Sequence, residues 1–298
     1  MKRCAFLSME DLSGFVCYDE LLLEPMQRYG WQVQTVAWRD RTVDWNAFDA
    51  VIIRSCWDYQ DAPEQFLAVL QNIERSSARL ENPLEVVRWN LKKHYLRDLQ
   101  AKGIPTVPSV WLDGLEADSL PQLFTHFQTA EIILKPVVSA TAFDTFRLTP
   151  ESAAAQAAQL AATFRQRECM VQPFLPAIID EGEYSLFYFG AEYSHTILKT
   201  PKDGDFRVQE EHGGLLRSVE PEPALLELSR KALAIIPAPT LYARVDWVRT
   251  DNGFALMELE LIEPSLYFNM DAGAAERFVR VLTDWTTHAG AEAHSNRV

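Results

Sequence analysis

The chain has 298 residues, 48% of them hydrophobic, and a formal net charge of −14. The apolar share supports a large folded core and excludes a disordered chain. The negative charge excludes a general nucleic-acid binder, which needs clustered cations on phosphates, and no apolar run nears the roughly 20 residues that span a bilayer.

Residues 1–8 resemble a signal peptide at first sight, but Glu10 and Asp11 cut the apolar run short. They are taken as a first β-strand, and the chain as cytoplasmic. Residues 19–29 read as a helix stopped by Gly30, 31–38 as an alternating strand, and 49–54 as a buried parallel strand. A helix at 63–75 completes a β-α-β-β-α order, which suggests an open α/β sheet with ligands beyond the carboxyl ends of its strands. The segment Arg54-Ser55-Cys56-Trp57-Asp58-Tyr59 falls at such an end.

A boundary is placed near Asn82-Pro83. Beyond it, 86–102 reads as one helix with Lys92 and Lys93 near its start, stopped by Gly103-Ile104-Pro105. A strand (106–111), a helix (120–127), a strand (131–136), an Ala-rich helix (153–165) and a strand (169–174) follow. Strands 183–189 and 192–199 form a hairpin around Gly190, and 223–235 is helical. Strands 242–249 and 254–262 are joined by Asp251-Asn252-Gly253, a strong hairpin turn. A helix at 274–285 carries Phe278, Leu282 and Trp285 on one face, and the polar stretch after Thr287 frays. Cys4, Cys17, Cys56 and Cys169 form no CxxC pair and read as small buried hydrophobes.

On the last hairpin, Glu258 and Glu260 project to one face, and Asp246 stands on the partner strand. Three carboxylates between apolar neighbours call for a cation, and hard oxygen ligands favour Mg2+ or Mn2+. Lys135 ends an apolar strand and is followed by small and hydroxyl residues, Ser139 among them, where a loop can cover phosphates. Lys93, Lys199 and Arg207 add cations, so the set suits a polyphosphate with its metal. His195 reads as a packed strand histidine, with a base near an acceptor as the other option.

The order of these pieces resembles the ATP-grasp ligases, over about residues 90–287. The most specific stretches are Gly204-Asp205-Phe206-Arg207 with His212-Gly213-Gly214, then Ala243-Arg244-Val245-Asp246, then Glu258-Leu259-Glu260. The resemblance implies an α/β fold: an N-terminal open α/β sheet on the substrate side (1–85), a small ATP-grasp subdomain with a linker helix (86–175), a large one (176–290) and a tail (291–298). It implies that Lys93 and Lys135 contact ATP phosphates, that Gln172, Phe174 and Leu175 line the adenine hinge, and that Glu183 holds the ribose. Asp246, Glu258 and Glu260 would bind Mg2+, with Glu263 able to share the third place. Arg207 and Lys199 would be catalytic. Two departures stand out: no glycine lies between Lys135 and Thr145, and Glu260 takes a place where many relatives have Asn.

The segment after residue 53, with Ser265-Leu266-Tyr267-Phe268, is similar to the cyclo-ligase branch of cycloserine biosynthesis. There Arg54 suits a substrate carboxylate, Asp58 an amine, and Trp57 and Ser265 the pocket wall. The expected activity is formation of a C–N bond from a carboxylate and an amine through an acyl phosphate. Ring closure in a small modified amino acid, or a nucleotide-binding module without catalysis, are the alternatives. Expected partners are ATP and a small amino-acid or peptide-like substrate, with no nucleic acid and no membrane; a homodimer stays open.

Overall fold

The computed structural model describes residues 1–295. The first sheet contains β1 (Lys2–Ser8), β2 (Trp31–Ala37), β3 (Ala50–Ser55) and β4 (Arg79–Glu81), all parallel, in the order β2-β1-β3-β4. Between them run α1 (Leu23–Arg28), preceded by a 3-10 turn at Asp19–Leu22, and α2 (Pro63–Glu74). Every residue of β3 is buried, as its unbroken apolar run predicts for a strand covered on both faces.

The chain then forms α3 (Leu84–Asn90) and α4 (Tyr95–Ala101), where the sequence suggested a single helix. The break has a physical cause. The Lys93 backbone N–H leaves the helical ladder and donates to the Val137 carbonyl at 3.0 Å. The Asn90 side chain meanwhile bonds the outer edge of the last sheet strand, at Leu259 and Leu261. Residues 105–107 also diverge from expectation: they pair with Leu256 through Pro105 and Val107 rather than extending a strand.

The second sheet is antiparallel, in the order β5-β8-β6-β7: β5 (Val110–Leu112), β6 (Ile132–Pro136), β7 (Phe146–Leu148) and β8 (Cys169–Pro173). Two helices, α5 (Leu120–Phe127) and α6 (Pro150–Phe164), cover one of its faces around Leu123, Phe124, Leu134, Leu160 and Phe164. A short α7 (Ala177–Asp180) leads to the third sheet. That sheet has the order β11-β10-β9-β12-β13, from β9 (Glu183–Phe189), β10 (Glu192–Thr200), β11 (Leu215–Ser218), β12 (Tyr242–Thr250) and β13 (Gly253–Glu260). Helix α8 (Pro223–Leu233) precedes the β12–β13 hairpin, and α9 (Ala274–Ser295) closes the chain. Helix α9 thus runs into the stretch read as a tail; residues 296–298 lie outside the described residues. The strands β4, β7 and β11 have three or four residues each, too short for periodicity to signal.

The third sheet divides its faces cleanly. Ala243, Val245, Trp247, Leu256, Leu259, Leu186 and Tyr188 pack into one core with α3, α4 and α8. The other face starts as core against the first sheet, where Phe187, Phe189, Ile197 and Tyr242 meet Phe6, Ile52, Phe278 and Leu282. Further along, it becomes charged. Asn82 staples the two regions: its fully buried amide bonds the Leu241 N–H and the carbonyls of Tyr242 and Leu261.

His195 belongs to this core and not to the cleft. Its ring stacks on Phe187 at 4.3 Å, Nδ1 meets the Ser194 hydroxyl, and Nε2 is buried without a partner among the described residues. Burial pushes its pKa down to about 4. The unfolded chain therefore binds a proton below about pH 6.5 that the folded chain refuses. Stability is expected to be complete above that pH and to fall by up to about 3 kcal/mol on acidification toward pH 4. In urea melts at pH 7 and 4.5, His195→Phe should lose this component of the pH dependence; an unchanged difference between the two pH values would refute it.

Candidate active site

An open cleft of about 1480 Å³ lies between the second and third sheets. Its charged wall follows from strand register. Asp246 is paired directly with Glu258 and with Ser185, and Arg244 with Glu260, so their side chains share one sheet face. The bulge between Asp246 and Trp247 absorbs Met257, which keeps Trp247 and Leu256 in the core on the far side. Lys199 lies opposite Glu183 on the neighbouring pair of strands.

Opposite charges fill this face. Lys93, which sits in the break between α3 and α4, is ion-paired with Glu258 and donates to the Ser139 carbonyl at 3.3 Å. The Arg244 guanidinium bonds both oxygens of Asp246 at 3.1 Å, pairs with Glu260, and reaches the Ser265 carbonyl at 3.3 Å. Lys199, 3% exposed, pairs with Glu183 and lies 3.8 Å from Asp246. Asp246 is 2% exposed and also accepts the Ser185 hydroxyl, so it lies deeper than Glu258 and Glu260.

Burial sets the first direction of each titration and the neighbours set the second. Burial pushes Glu260 up to about 7, against the pull of Arg244. Glu258 goes the other way, to about 2, because Lys93 and Lys135 outweigh its burial. Lys93 stays above its ordinary range despite burial, held by Glu258. Lys135 is lowered, because burial, with the Lys93 charge added, outweighs the pull of Glu258 and the other carboxylates. Glu263, 8% exposed, has a carboxyl with no hydrogen bond among the described residues, and burial drives it well above the carboxylate range.

The opposite wall comes from the second sheet. Ile133, Lys135 and Gln172 face the cleft, while Ile132, Leu134 and Val171 between them enter the core. The Gln172 amide donates to the Ser109 hydroxyl at 3.0 Å. Phe174 and Leu175 follow on the crossing to α7, with the Arg147 guanidinium 3.8 Å from the Phe174 ring centre. The loop from Ser139 to Thr145 reaches its shape without glycine. Thr141, Ala142 and Asp144 take positive φ of 52°, 55° and 50°, which costs roughly 1 kcal/mol or more each. Contacts hold it there: Arg167 grips Asp144 at 2.6 Å, the Gln60 side-chain oxygen accepts the Ala140 N–H, and His212 approaches the Thr141 carbonyl at 3.5 Å.

Arg207 lines the cleft from the loop after β10, where Asp205 holds it at 2.8 Å. The glycine pair after His212 closes this loop. A Cβ on Gly214 would stand 2.1 Å from the Val208 carbonyl oxygen.

The cleft thus gathers Lys93, Lys135, Ser139, Gln172, Phe174, Leu175, Glu183, Lys199, Arg207, Glu258 and Glu260, with Trp57 and Ser265 at its edge. Two substrate-side residues lie elsewhere. Arg54 is buried and turned to Asp19, and it lines a smaller cavity. Asp58 accepts from Trp38 Nε1 at 2.6 Å and Arg39 Nε at 2.9 Å, away from the cleft. Sequence reasoning passed over Arg244 and Asp19. Arg244 was quoted only as part of a strand motif, although its two-residue spacing from Asp246 already put both on one face.

Residues 4–82 match a family model described as the N-terminal domain of D-cycloserine synthetase DcsG. The cycloserine biosynthesis protein DcsG of Streptomyces lavendulae is 30% identical over 277 residues, covering 88% of this chain and 92% of that one. The chain belongs to the DcsG-type ATP-grasp ligases. The crystal structure of D-cycloserine synthetase DcsG superposes with a TM-score of 0.83 at 27% identity, covering 95% of this chain and 99% of the other. A RimK domain ATP-grasp protein from Sphaerobacter thermophilus gives 0.69 at 16% identity, covering 96% and 99%, which speaks to the fold. This member of the ATP-grasp family is therefore an ATP-dependent ligase with a mixed α/β fold.

The donor set suits Mg2+ or Mn2+ in kind: oxygen ligands only, opposite one another across β12 and β13. Among the described residues no three side chains converge to cage a metal by themselves. Arg244 meanwhile neutralises Asp246 and Glu260. Arg244→Met is expected to leave both carboxylates buried without their counter-charge, at a cost of about 3 kcal/mol or more. Urea denaturation would show this as a lower midpoint at unchanged slope, and a loss under about 1 kcal/mol would sink the assignment.

Proposed function

We propose that this ligase activates a substrate carboxylate as an acyl phosphate and transfers it to an amine, on an amino acid or small peptide-like substrate. The observation that carries this is the meeting of Lys93, Lys135, Lys199 and Arg207 with Glu258 and Glu260 in one cleft. A carboxylate oxygen of the substrate attacks the γ-phosphorus of ATP, and ADP leaves. The amine then attacks the acyl carbon, and phosphate leaves with the carbonyl restored.

The roles we assign are those the ATP-grasp resemblance implies, and the gathering of these residues around one cleft supports them. Lys93 and Lys135 hold the phosphates under the Ser139 loop. Gln172, Phe174 and Leu175 bind the base, and Glu183 the ribose. Asp246, Glu258 and Glu260 hold Mg2+ or Mn2+, which would neutralise phosphate charge. Glu263, close by and free of protein partners, is able to take over from Glu260, which Arg244 occupies. Arg207 and Lys199 balance charge on the transferring group. None of these steps needs a covalent enzyme intermediate, so catalysis is positioning and charge compensation.

The similarity to a protein named D-cycloserine synthetase favours a second form of the same chemistry, in which carboxylate and nucleophile belong to one molecule and a ring closes. The partners are then ATP and one small molecule. A net charge of −14 speaks against nucleic acid, and among the described residues no helix is long and apolar enough to cross a membrane. A cytoplasmic site, where ATP is supplied, fits this use.

Incubation with ATP, Mg2+ and amino-acid mixtures should release ADP and phosphate in equal amounts. Glu258→Gln should lower that release by roughly two orders of magnitude or more while the melting curve stays cooperative. Full activity in this variant would remove Glu258 from the metal site, and no ADP release with any mixture would overturn acyl-phosphate formation.

A further inference from the structure

Beyond Ser265 the chain makes a tight turn. Tyr267 stands in it with φ 45° and ψ 50°, in the left-handed region. An aromatic side chain there costs roughly 1 kcal/mol or more, and such strain persists only where the surroundings fix it. They do so here. Tyr267 is 5% exposed, and its ring centre lies 6.2 Å from those of both Tyr18 and Phe187. Its carbonyl accepts the Met270 N–H at 2.9 Å, which closes the turn.

Packing accounts for the ring and leaves the hydroxyl unexplained, because a phenylalanine would fill the same space. Neighbouring tyrosines spend their hydroxyls within the chain. Tyr18 donates to Glu210 at 3.0 Å, and Tyr242 reaches the Ile53 and Ile262 carbonyls at 2.8 Å. The Tyr267 hydroxyl makes no hydrogen bond among the described residues and is not enclosed, so it faces the cleft that Tyr267 lines. Burial pushes its pKa up to about 12, against the pull of Lys199 and Arg244, so at neutral pH it is a donor.

The position of this donor limits what it can meet. Lys199 and Arg244 are close enough to act on it, yet both are engaged. Lys199 pairs with Glu183, and Arg244 with Asp246, Glu260 and the Ser265 carbonyl. Gln172, Phe174 and Leu175, assigned to the nucleotide base, come from the second sheet and its crossing to α7, whereas Tyr267 stands beside Ser265 on the wall assigned to the substrate. A neutral donor next to two compensated cations suits an oxygen that gains negative charge during a reaction.

We propose that Tyr267 is a catalytic residue whose hydroxyl donates to the substrate carboxyl oxygen that stays on carbon. One carboxylate oxygen takes the γ-phosphoryl group, and the other becomes the carbonyl oxygen of the acyl phosphate. When the amine attacks, the C–N bond forms and the carbonyl π pair moves onto that oxygen. The tyrosine hydrogen bond meets this charge, and the tyrosine keeps its proton. As the pair returns, the acyl C–O bond breaks, and phosphate leaves with the electrons of that bond and the amine's proton. The fixed turn aims the donor before the charge appears, so no reorganisation is needed at that moment. The proposal rests on the acyl-phosphate reading of the cleft and adds to it the group that receives the charge.

Tyr267→Phe keeps the ring and removes only the donor. The wild type is surveyed with ATP, Mg2+ and amino-acid mixtures, and the variant is compared on the mixture that releases ADP fastest. A single turnover with enzyme in excess over ATP keeps product release out of the rate. The rate should fall about tenfold or more, while ADP affinity by calorimetry and the melting midpoint stay the same. A smaller fall overturns the proposal. A parallel loss of ADP affinity or of cooperative melting overturns it too, since the hydroxyl then serves the fold. Failure of the acyl-phosphate reading shows separately, as absent ADP release by the wild type with every mixture, and takes this role with it.

Discussion

One face of the five-stranded sheet has to bury charge, and the surrounding structure answers to that requirement. Glu183, Asp246, Glu258 and Glu260 point the same way because strand side chains alternate. Left alone, they would repel one another or take up protons. Lys93, Lys199 and Arg244 meet them instead, each from a different element, so the cluster ties β10, β12 and β13 to the break between α3 and α4. A pair broken on one side leaves a stranded charge, which is why such a network is held by several partners at once.

The backbone nearby is arranged to deliver those partners. The helix expected at 86–102 gives way at Lys93, and Asn90 supplies at β13 the hydrogen bonds a missing neighbour strand would have made. Asn82 does similar work where the first sheet meets the third. The loop over the cleft shows the same economy. It lacks glycine, and it keeps three residues at positive φ through contacts with Arg167, Gln60 and His212.

The parts of this site written within one strand or hairpin were legible in the sequence. Alternation placed Glu258 and Glu260 together, and the Asp251-Asn252-Gly253 turn brought Asp246 opposite them. Lys135 announced itself at the end of an apolar run. Contacts made across elements were not legible. Nothing near Arg54 in the sequence points to Asp19, 35 residues earlier, whereas Asp58 stands four residues away and turns to Trp38 and Arg39 instead. The break at Lys93 was hidden because its cause, the Val137 carbonyl, lies in a different unit. Short strands such as β7 and β11 exist because a neighbour pairs with them, which no local pattern records.

The apolar residues are pooled unevenly, and this bears on motion. The first sheet and α9 share one cluster with β9, β10 and β12, so the N-terminal region and the charged wall are fused through common side chains. The second sheet keeps its own cluster with α5 and α6 and lends Met170, with the half-buried Trp111 beside it, to the core beneath β12 and β13. A body with a private core can swing without tearing its neighbour's, and the cost falls on the few bonds that bridge the gap. The two walls of the cleft are therefore unequal: one is anchored in the bulk of the molecule, and the other is tied to it by bonds such as Lys93–Val137, Lys93–Ser139 and Gln60–Ala140.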